Sequence, residues 1–418
     1  MTSKLEGLLN RIIRTGTLTA TTADGQSRTY GDGTGEPVAI RFTDEKAEDE
    51  LVDDPQLKLG EIYMDGRMVM DAGDIYDLLA LVKSNTLAED LSFGMIWRGV
   101  ARLALTRLQR LLPVNHNRRN VAHHYDLSAK LFDLFLDADW QYSCAYFETP
   151  ETSLEEAQVA KKRHIAAKLL LGEGQRVLEI GSGWGGMAMY LAESSGVDVT
   201  GITLSTEQLR VSRERAEKRG LSSRVRFELQ DYRTMKAKPF DRIVSVGMFE
   251  HVGPSNYGRF FRKAAELLDK DGVMLLHSIG QPTPPLVNNA FFEKYIFPGG
   301  YIPSLAEVLP AVEKAGLFIR DIEIMPRHYA RTLRHWRERF LARKEEAVRL
   351  YDERFFRMWE FYLAGSEMAF THQGFFIFHM QIVRNTFAVP DTRGYMAERE
   401  ATLADFDAAR PPLEKVMY

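Results

Sequence analysis

From residue 126 onward, apolar runs of strand length alternate with stretches of helical periodicity. The strand-like segments are 176–181, 197–203, 225–231, 241–247 and 272–280, and helical patterns at 207–219 and 257–268 separate some of them. Ser153-Leu-Glu-Glu156 is a capping box that opens a helix reaching residue 171. Parallel neighbours cannot be joined by tight hairpins and need long crossovers, so this alternation predicts an α/β domain with helices on both faces of a parallel sheet. Residues 318–325 and 375–384 read as two more strands, for seven in all. Between these last two lie helical stretches at 332–350 and 354–370. They carry Trp336, Phe340, Tyr351, Phe355, Phe356, Trp359, Phe361 and Tyr362.

The remainder of the chain is less regular. Residues 1–88 combine a glycine-rich turn at 30–35, a strand pattern at 37–42 and a helical pattern at 75–82, which suits a small α+β domain. Residues 91–125 hold six arginines and no Asp or Glu. Over 97–112 the apolar positions form a helical stripe, and Pro113 ends it. Two readings stand: a basic amphipathic helix lying on an anionic bilayer, or a packing helix that leads into a linker.

Composition excludes several classes. With 418 residues, 45% of them hydrophobic and 27% charged, the chain is a soluble globular protein of two or three domains. Its 54 basic and 58 acidic residues leave a net charge of −4, without the basic excess of a nucleic-acid binder. Cys144 is the single cysteine, so an intramolecular disulfide and a Cys-rich metal site are excluded, and a reducing cytoplasm fits. The N-terminus lacks the apolar core of a signal peptide. No run approaches the roughly 18 apolar residues of a membrane span.

The chemistry concentrates in Val177-Leu-Glu-Ile-Gly-Ser-Gly-Trp-Gly-Gly186, between the first strand of the sheet and the next helix. Glycines here let the backbone turn tightly and let a ligand approach at the carboxyl edge of the sheet. Gly186 keeps the spacing of a dinucleotide fingerprint, and a ligand-free turn is a further reading. Glu179, however, suits a ligand that carries an ammonium group. Glu-x-Gly-x-Gly-x-Gly resembles the loop of S-adenosylmethionine-dependent methyltransferases. At the second strand end, Thr203 and Gln208 are candidates to bond a ribose, or Ser205 simply caps a helix. At the third, Asp231 is a candidate acceptor for an adenine amino group with Tyr232 stacking, or the start of a polar loop.

Six further strings recur in order: Ala122-His-His-Tyr-Asp-Leu-Ser128, Gln141-Tyr-Ser-Cys-Ala-Tyr-Phe147, Gly247-Met-Phe-Glu-His-Val-Gly253, Leu276-His-Ser-Ile-Gly280, Phe297-Pro-Gly-Gly-Tyr-Ile-Pro303 and His328-Tyr-Ala-Arg-Thr-Leu333. With the glycine loop, they resemble the cyclopropane-fatty-acyl-phospholipid synthase family. Mycolic acid cyclopropane synthases are similar over the catalytic part, and the likeness runs over about 115–390. The resemblance implies a class I methyltransferase fold, Rossmann-like with a seven-stranded mostly parallel sheet, and a smaller N-terminal α+β domain. It implies methylene transfer from S-adenosylmethionine to the cis double bond of an unsaturated phospholipid acyl chain, through a carbocation. A related lipid methyltransferase making methyl-branched or methylene chains is the alternative.

The implied cofactor residues are Tyr142, Ser143, Glu179, Gly181, Gly183, Trp184, Gly185, Thr203, Leu204, Gln208, Asp231 and Tyr232. The implied catalytic set, a cage for a bicarbonate base, is Cys144, Glu250, His277, the Ile279 backbone and Tyr329. Each also has a plain structural reading: a buried cysteine, a helix N-terminal acid, a core histidine, a packing tyrosine. No metal is expected, and His123, His124 and His251 have no assigned role. The expected division is 1–110 as a lipid-engaging domain, 111–125 as a basic linker, and 126–418 as the catalytic domain with an aromatic insertion at about 327–374 that lines an acyl tunnel or lid. The resemblance also suggests a homodimer in peripheral contact with the inner face of the cytoplasmic membrane, and no nucleic acid.

Overall fold

The computed structural model describes residues 3–85, 128–283 and 289–410. The basic segment 91–125, with His123 and His124, lies outside the described residues. By its contacts the chain divides into two units. One comprises Met1–Leu111, Leu286–Pro298 and Leu333–Gly374; the other comprises Leu112–Pro285, Gly299–Thr332 and Phe375–Tyr418.

The second unit holds a seven-stranded sheet. Its strands are β5 (Arg176–Ile180), β6 (Asp198–Thr203), β7 (Val225–Leu229), β8 (Phe240–Val246), β9 (Leu268–Gly280), β10 (Phe318–Met325) and β11 (Phe376–Val383). All seven segments read as strands from the sequence are present. Their order is β10-β11-β9-β8-β5-β6-β7. β5 through β9 run parallel to their neighbours, and β11 is antiparallel to both β9 and β10. The chain leaves β5 toward β6 and β7, then crosses back to β8. The order therefore reverses between β5 and β8, where an open α/β sheet leaves a crevice at its carboxyl edge.

The inner strands β5, β8, β9 and β11 are buried on both faces near the carboxyl edge or along their length, as a doubly covered sheet requires. On one face Leu178, Ile180, Met274, Leu276, Phe378 and Met380 pack against the helices Tyr257–Leu267 and Leu305–Lys314. On the other, Val177, Val244 and Leu275 pack against the helices Leu154–Leu169 and Gly186–Ser195. The Ser153–Glu156 capping box is formed and opens the first of these two helices.

The first unit contains a four-stranded sheet of order β2-β1-β3-β4, from β1 (Leu18–Thr21), β2 (Ser27–Tyr30), β3 (Val38–Phe42) and β4 (Met68–Ala72). The expected aromatic insertion of the catalytic domain is placed differently: residues 333–374 cluster with this unit. The cause lies in the apolar faces of its long helix, Glu353–His372. Phe361 packs 4.7 Å from Phe291 and 6.3 Å from Tyr63. The Tyr63 hydroxyl donates to the Glu360 carboxylate at 2.7 Å. Gly60 leaves no room for a Cβ beneath the Phe291 ring, which would lie 2.3 Å away. Buried Glu367 accepts from Arg334 and Arg337 at 2.9 and 3.0 Å.

Phe260 is fully buried and meets Phe249, Phe261 and Tyr232 edge-on at 5.1–5.3 Å. Phe260→Ala should lower unfolding free energy by about 3–5 kcal/mol. Chemical denaturation measures it; a loss below ~1 kcal/mol would mean that this core can collapse around the gap.

Candidate active site

Opposite the carboxyl edge of β5 and β8 lies a cleft of about 980 Å³, counting its open mouth. Of the twelve expected cofactor residues, Tyr142, Gly181, Gly183, Thr203, Leu204, Gln208, Asp231 and Tyr232 line it. Ser143, Trp184 and Gly185 are not in the lining and support it from behind, and Glu179, also outside the lining, lies at the end of β5 two residues before Gly181. Gly183 sits at φ +51, and a Cβ there would meet no protein atom within 4 Å. Its backbone is thus open to a ligand. Glu179 is buried at the end of β5, and one carboxylate oxygen has no partner among the described residues. Burial raises its pKa to about 8, against a backbone hydrogen bond from Ala188. Without ligand this carboxyl is thus mostly protonated at neutral pH, and a cationic ligand beside the glycine cradle would draw it to the carboxylate form and use the unpartnered oxygen.

The polar walls are already partly engaged with each other. Thr203 donates to Gln208 at 2.9 Å, and Ser205 caps the next helix by accepting from the Gln208 amide. The capping reading of Ser205 therefore holds, and Thr203 and Gln208 stand in the cleft wall bonded to each other. Asp231 is gripped by its own neighbour, with Arg233 Nε 2.9 Å and an Arg233 terminal nitrogen 2.5 Å from its oxygens. Sequence reasoning missed Arg233, as well as Gln230, Met248, His251, Val252 and Asn256, which also line the cleft. His251 is half-buried there, and the desolvation lowers its pKa to about 4, so the ring is neutral. A strand-end Phe-Glu-His points to Glu250 first; only the turn after it shows which way His251 faces.

The loop carrying Tyr142, Ser143 and Cys144 has no regular structure and is held by side chains. Asp137 accepts from the amides of Asp139 and Gln141, both at 2.9 Å. Asp139 binds Lys162 at 2.5 Å and Arg215 at 2.5 Å, and its carboxyl lies below the usual range: burial opposes this, and the two cations overcome it. Arg215 also donates to the Trp184 carbonyl of the glycine loop. Ser143 receives the Lys161 ammonium at 2.8 Å, and Lys161 also reaches Gln141 at 2.6 Å. Burial brings Lys161 down to about 7, despite Asp137 and Asp139. Gly186 must lack a side chain because a Cβ would lie 2.2 Å from Gln141 and 2.5 Å from Asp139.

The expected catalytic residues fall on three elements. Glu250 lies in the short turn after β8, and His277 and Ile279 lie on the same face of β9, two residues apart. Glu250 accepts from the Ile279 amide at 2.7 Å, while its other oxygen is buried without a partner among the described residues. Burial raises the Glu250 pKa, so this carboxyl tends toward its neutral form, a donor. The Ile279 amide is therefore committed to Glu250, and its carbonyl accepts from Ser278 at 3.1 Å. Burial also pushes the Cys144 thiol well above its ordinary pKa, which keeps it a weak donor rather than a thiolate. Tyr329 is half-buried on the first turn of helix His328–Ala342. That turn is tied to the Cys144 loop: Phe147 N–H donates to His328 Nδ1 and Ala145 N–H to Thr332, both at 3.0 Å.

Among the described residues, His164, Glu323 and His379 bring potential ligand atoms within 4.8 Å of one another. The Lys168 ammonium is hydrogen-bonded to both Glu323 and His379, so a cation already occupies that centre.

Comparison with known proteins gives a consistent result. A family model described as mycolic acid cyclopropane synthetase matches residues 114–380, and a domain of unknown function matches 6–88. A cyclopropane-fatty-acyl-phospholipid synthase of Escherichia coli K12 is 40% identical over 80% of this chain and 85% of its own. A tuberculostearic acid methyltransferase of Mycobacterium tuberculosis is 38% identical over 64% of this chain and 65% of its own. A crystal structure of a mycolic acid cyclopropane synthase complexed with SAH and CTAB superposes with a TM-score of 0.61 at 34% identity. It covers 65% of this chain and 99% of that one.

Glu179 gives a pH prediction. Its folded pKa of about 8 lies above the ordinary 4.5 of a glutamate, so the unfolded chain ionises first. Stability without ligand should then fall as pH rises from 4.5 to 8, with this one group contributing up to about 1.4 kcal/mol per pH unit. Glu179→Gln should remove that slope and be the more stable protein at the alkaline end. Parallel pH–stability curves for the two proteins would refute it.

Proposed function

The chain belongs to the mycolic acid cyclopropane synthetase family, and from that premise we propose that it builds cyclopropane rings on cis-unsaturated phospholipid acyl chains. S-adenosylmethionine, when bound, supplies an electrophilic methyl group. The residues fit it: Gly181 and Gly183 open the cradle, Tyr142, Thr203, Leu204, Gln208, Asp231 and Tyr232 wall it, and Glu179 offers the unused buried acceptor. Ser143, Trp184 and Gly185 hold the walls in place.

The observation that carries the reading is the buried Glu250 oxygen that has no partner among the described residues, while the other oxygen is held by the Ile279 amide on β9. The alkene π electrons would form a carbon–carbon bond to the methyl as its bond to sulfur breaks and the neutral thioether leaves, which puts a carbocation on the acyl chain. Ring closure then requires one proton to leave that new methyl carbon as its C–H electrons close the third side. The base must work in a dry site, since water would capture the cation. Bicarbonate fits the cage: neutral Glu250, the Cys144 thiol, His277 and Tyr329 are all able to donate hydrogen bonds to a small oxyanion. Ile279 contributes through Glu250, whose orientation its amide sets. The substrate is a bilayer lipid, reached peripherally; among the described residues no helix is long and apolar enough to cross a membrane.

A second reading, methyl branching without a ring, is favoured by the naming of one relative as a tuberculostearic acid methyltransferase. The test is to incubate the purified chain with S-adenosylmethionine and vesicles of cis-unsaturated phospholipid, and to read the lipids by mass spectrometry and NMR. Gain of one CH₂ with loss of the alkene and ring protons is expected. Gain of CH₂ without a ring selects the second reading, and no lipid product rejects both. Glu250→Gln should lower kcat by about 10²–10⁴-fold and leave S-adenosylmethionine affinity unchanged in calorimetry.

A further inference from the structure

Behind the catalytic set runs a line of buried polar side chains that the chemistry above does not use. His277 and His379 face each other directly across the β9–β11 ladder. His277 Nδ1 lies 2.8 Å from His379 Nε2. The other nitrogen of His379, Nδ1, lies 3.0 Å from the Lys168 ammonium at the end of helix Leu154–Leu169. Lys168 also pairs with the Glu323 carboxylate, which in turn meets His164 Nε2 at 2.6 Å. His164 ends the line on Glu400, whose side chain reaches solvent. His277, His379 and Lys168 are each no more than 2% exposed.

The direction of these hydrogen bonds follows from the chemistry of the ammonium. A neutral imidazole has one N–H and one bare nitrogen, and contact geometry alone leaves the choice open. An ammonium has only donors. Burial lowers the Lys168 pKa from its ordinary value, and the charge of Glu323 and the hydrogen bond to it oppose that and favour the ammonium; burial would raise the Glu323 pKa, but the hydrogen bond from His164 and the charges of His164 and Lys168 bring it to about 2. Lys168 must therefore donate to His379 Nδ1, which places the His379 proton on Nε2. His379 Nε2–H then donates to His277 Nδ1. The only nitrogen left to carry the His277 proton is Nε2. The reverse order would set the His379 Nδ1–H against the ammonium, two donors 3.0 Å apart with no acceptor between them.

We propose that Lys168, acting through His379, locks His277 as its Nε2–H tautomer, so that His277 meets the reacting anion as a fixed hydrogen-bond donor. Burial first, and then positive charge (Lys161 and Lys168 at His277, Lys168 at His379), hold both rings neutral. His277 is thereby denied the role of general base, and the proton from ring closure goes to the anion instead. Lys168 and His379 are positioning residues. This assignment rests on the reading of His277 as part of an oxyanion cage, but the tautomer itself is observable without any turnover.

The test is ¹⁵N NMR of the full chain labelled at histidine, with His277 and His379 assigned by their loss in His277→Gln and His379→Gln. In the parent, both rings should show a protonated Nε2 and a bare Nδ1 at neutral pH. In Lys168→Met the forced donor is gone, and His277 should shift to a mixture of tautomers. The kcat of that variant should fall by about tenfold, less than the about 10²–10³-fold of a lost oxyanion donor, with S-adenosylmethionine affinity unchanged. Lys168→Arg, another donor-only cation, should restore tautomer and rate together. A parent His277 that carries its proton on Nδ1 overturns the proposal, and so does a Lys168→Met His277 that stays wholly Nε2–H. If the parent makes no lipid product yet shows the Nε2–H pair, the functional reading fails and the tautomer lock stands.

Discussion

The site depends on one buried carboxylate. Asp139 is surrounded by Lys162, Arg215 and Gln141, with Lys162 and Arg215 each 2.5 Å away. Through these contacts it joins four parts of the sheet domain: the loop bearing Tyr142 and Cys144, the helix Leu154–Leu169, the glycine loop by way of Arg215 and Trp184, and the helix Thr206–Lys218. Taking three charges out of water is expensive, and their attraction offsets that cost without a large surplus. The cluster is therefore weak evidence of net stability. Its effect is positional, because any loop placement that separates the three leaves a buried charge unpaired. An irregular loop is thus held as firmly as a strand, and the cofactor wall it carries is preorganised.

A similar economy governs the proposed reacting centre. Glu250, Cys144 and His277 are all driven by burial toward their uncharged forms. Uncharged groups that still have N–H, O–H or S–H bonds suit a small anion in a dry site. A charged wall would compete with the carbocation or draw water in. The cations that exist nearby, Lys161 and Lys168, are spent on internal partners: Ser143 and Gln141 for the first, Glu323 and His379 for the second. They set the field and the hydrogen-bond directions without presenting a free ammonium.

Much of this was legible beforehand. The seven strands, the capping box at Ser153 and the glycine loop all rest on local pattern, and each is where the residues said it would be. Eight of the twelve expected cofactor residues line one cleft because strand ends of a parallel sheet converge at one edge. Ser143, Trp184 and Gly185 fall behind that wall: Lys161 holds the first, Phe132 and Trp140 each pack edge-on against the second, and Phe227 lies against the third. Arg233 and His251 were missed because the turns that aim them have no periodic signature. The aromatic helices of 333–374 were assigned to the wrong neighbours for a related reason: their spacing announces apolar faces but does not say which surface covers them.

Local chemistry along the chain was enough to specify elements, their order and the residue types needed for methyl transfer, because periodicity, capping and tight turns act over a few residues. What required the folded chain was every relation between residues far apart. His277 and His379 are 102 positions apart, and only the β9–β11 register makes them one hydrogen-bonded pair. Lys168 stands 211 positions from His379, yet its ammonium orients both rings. A hydrogen bond has a length and a direction, and no sequence pattern encodes either one across such a separation; packing two faces of one sheet does.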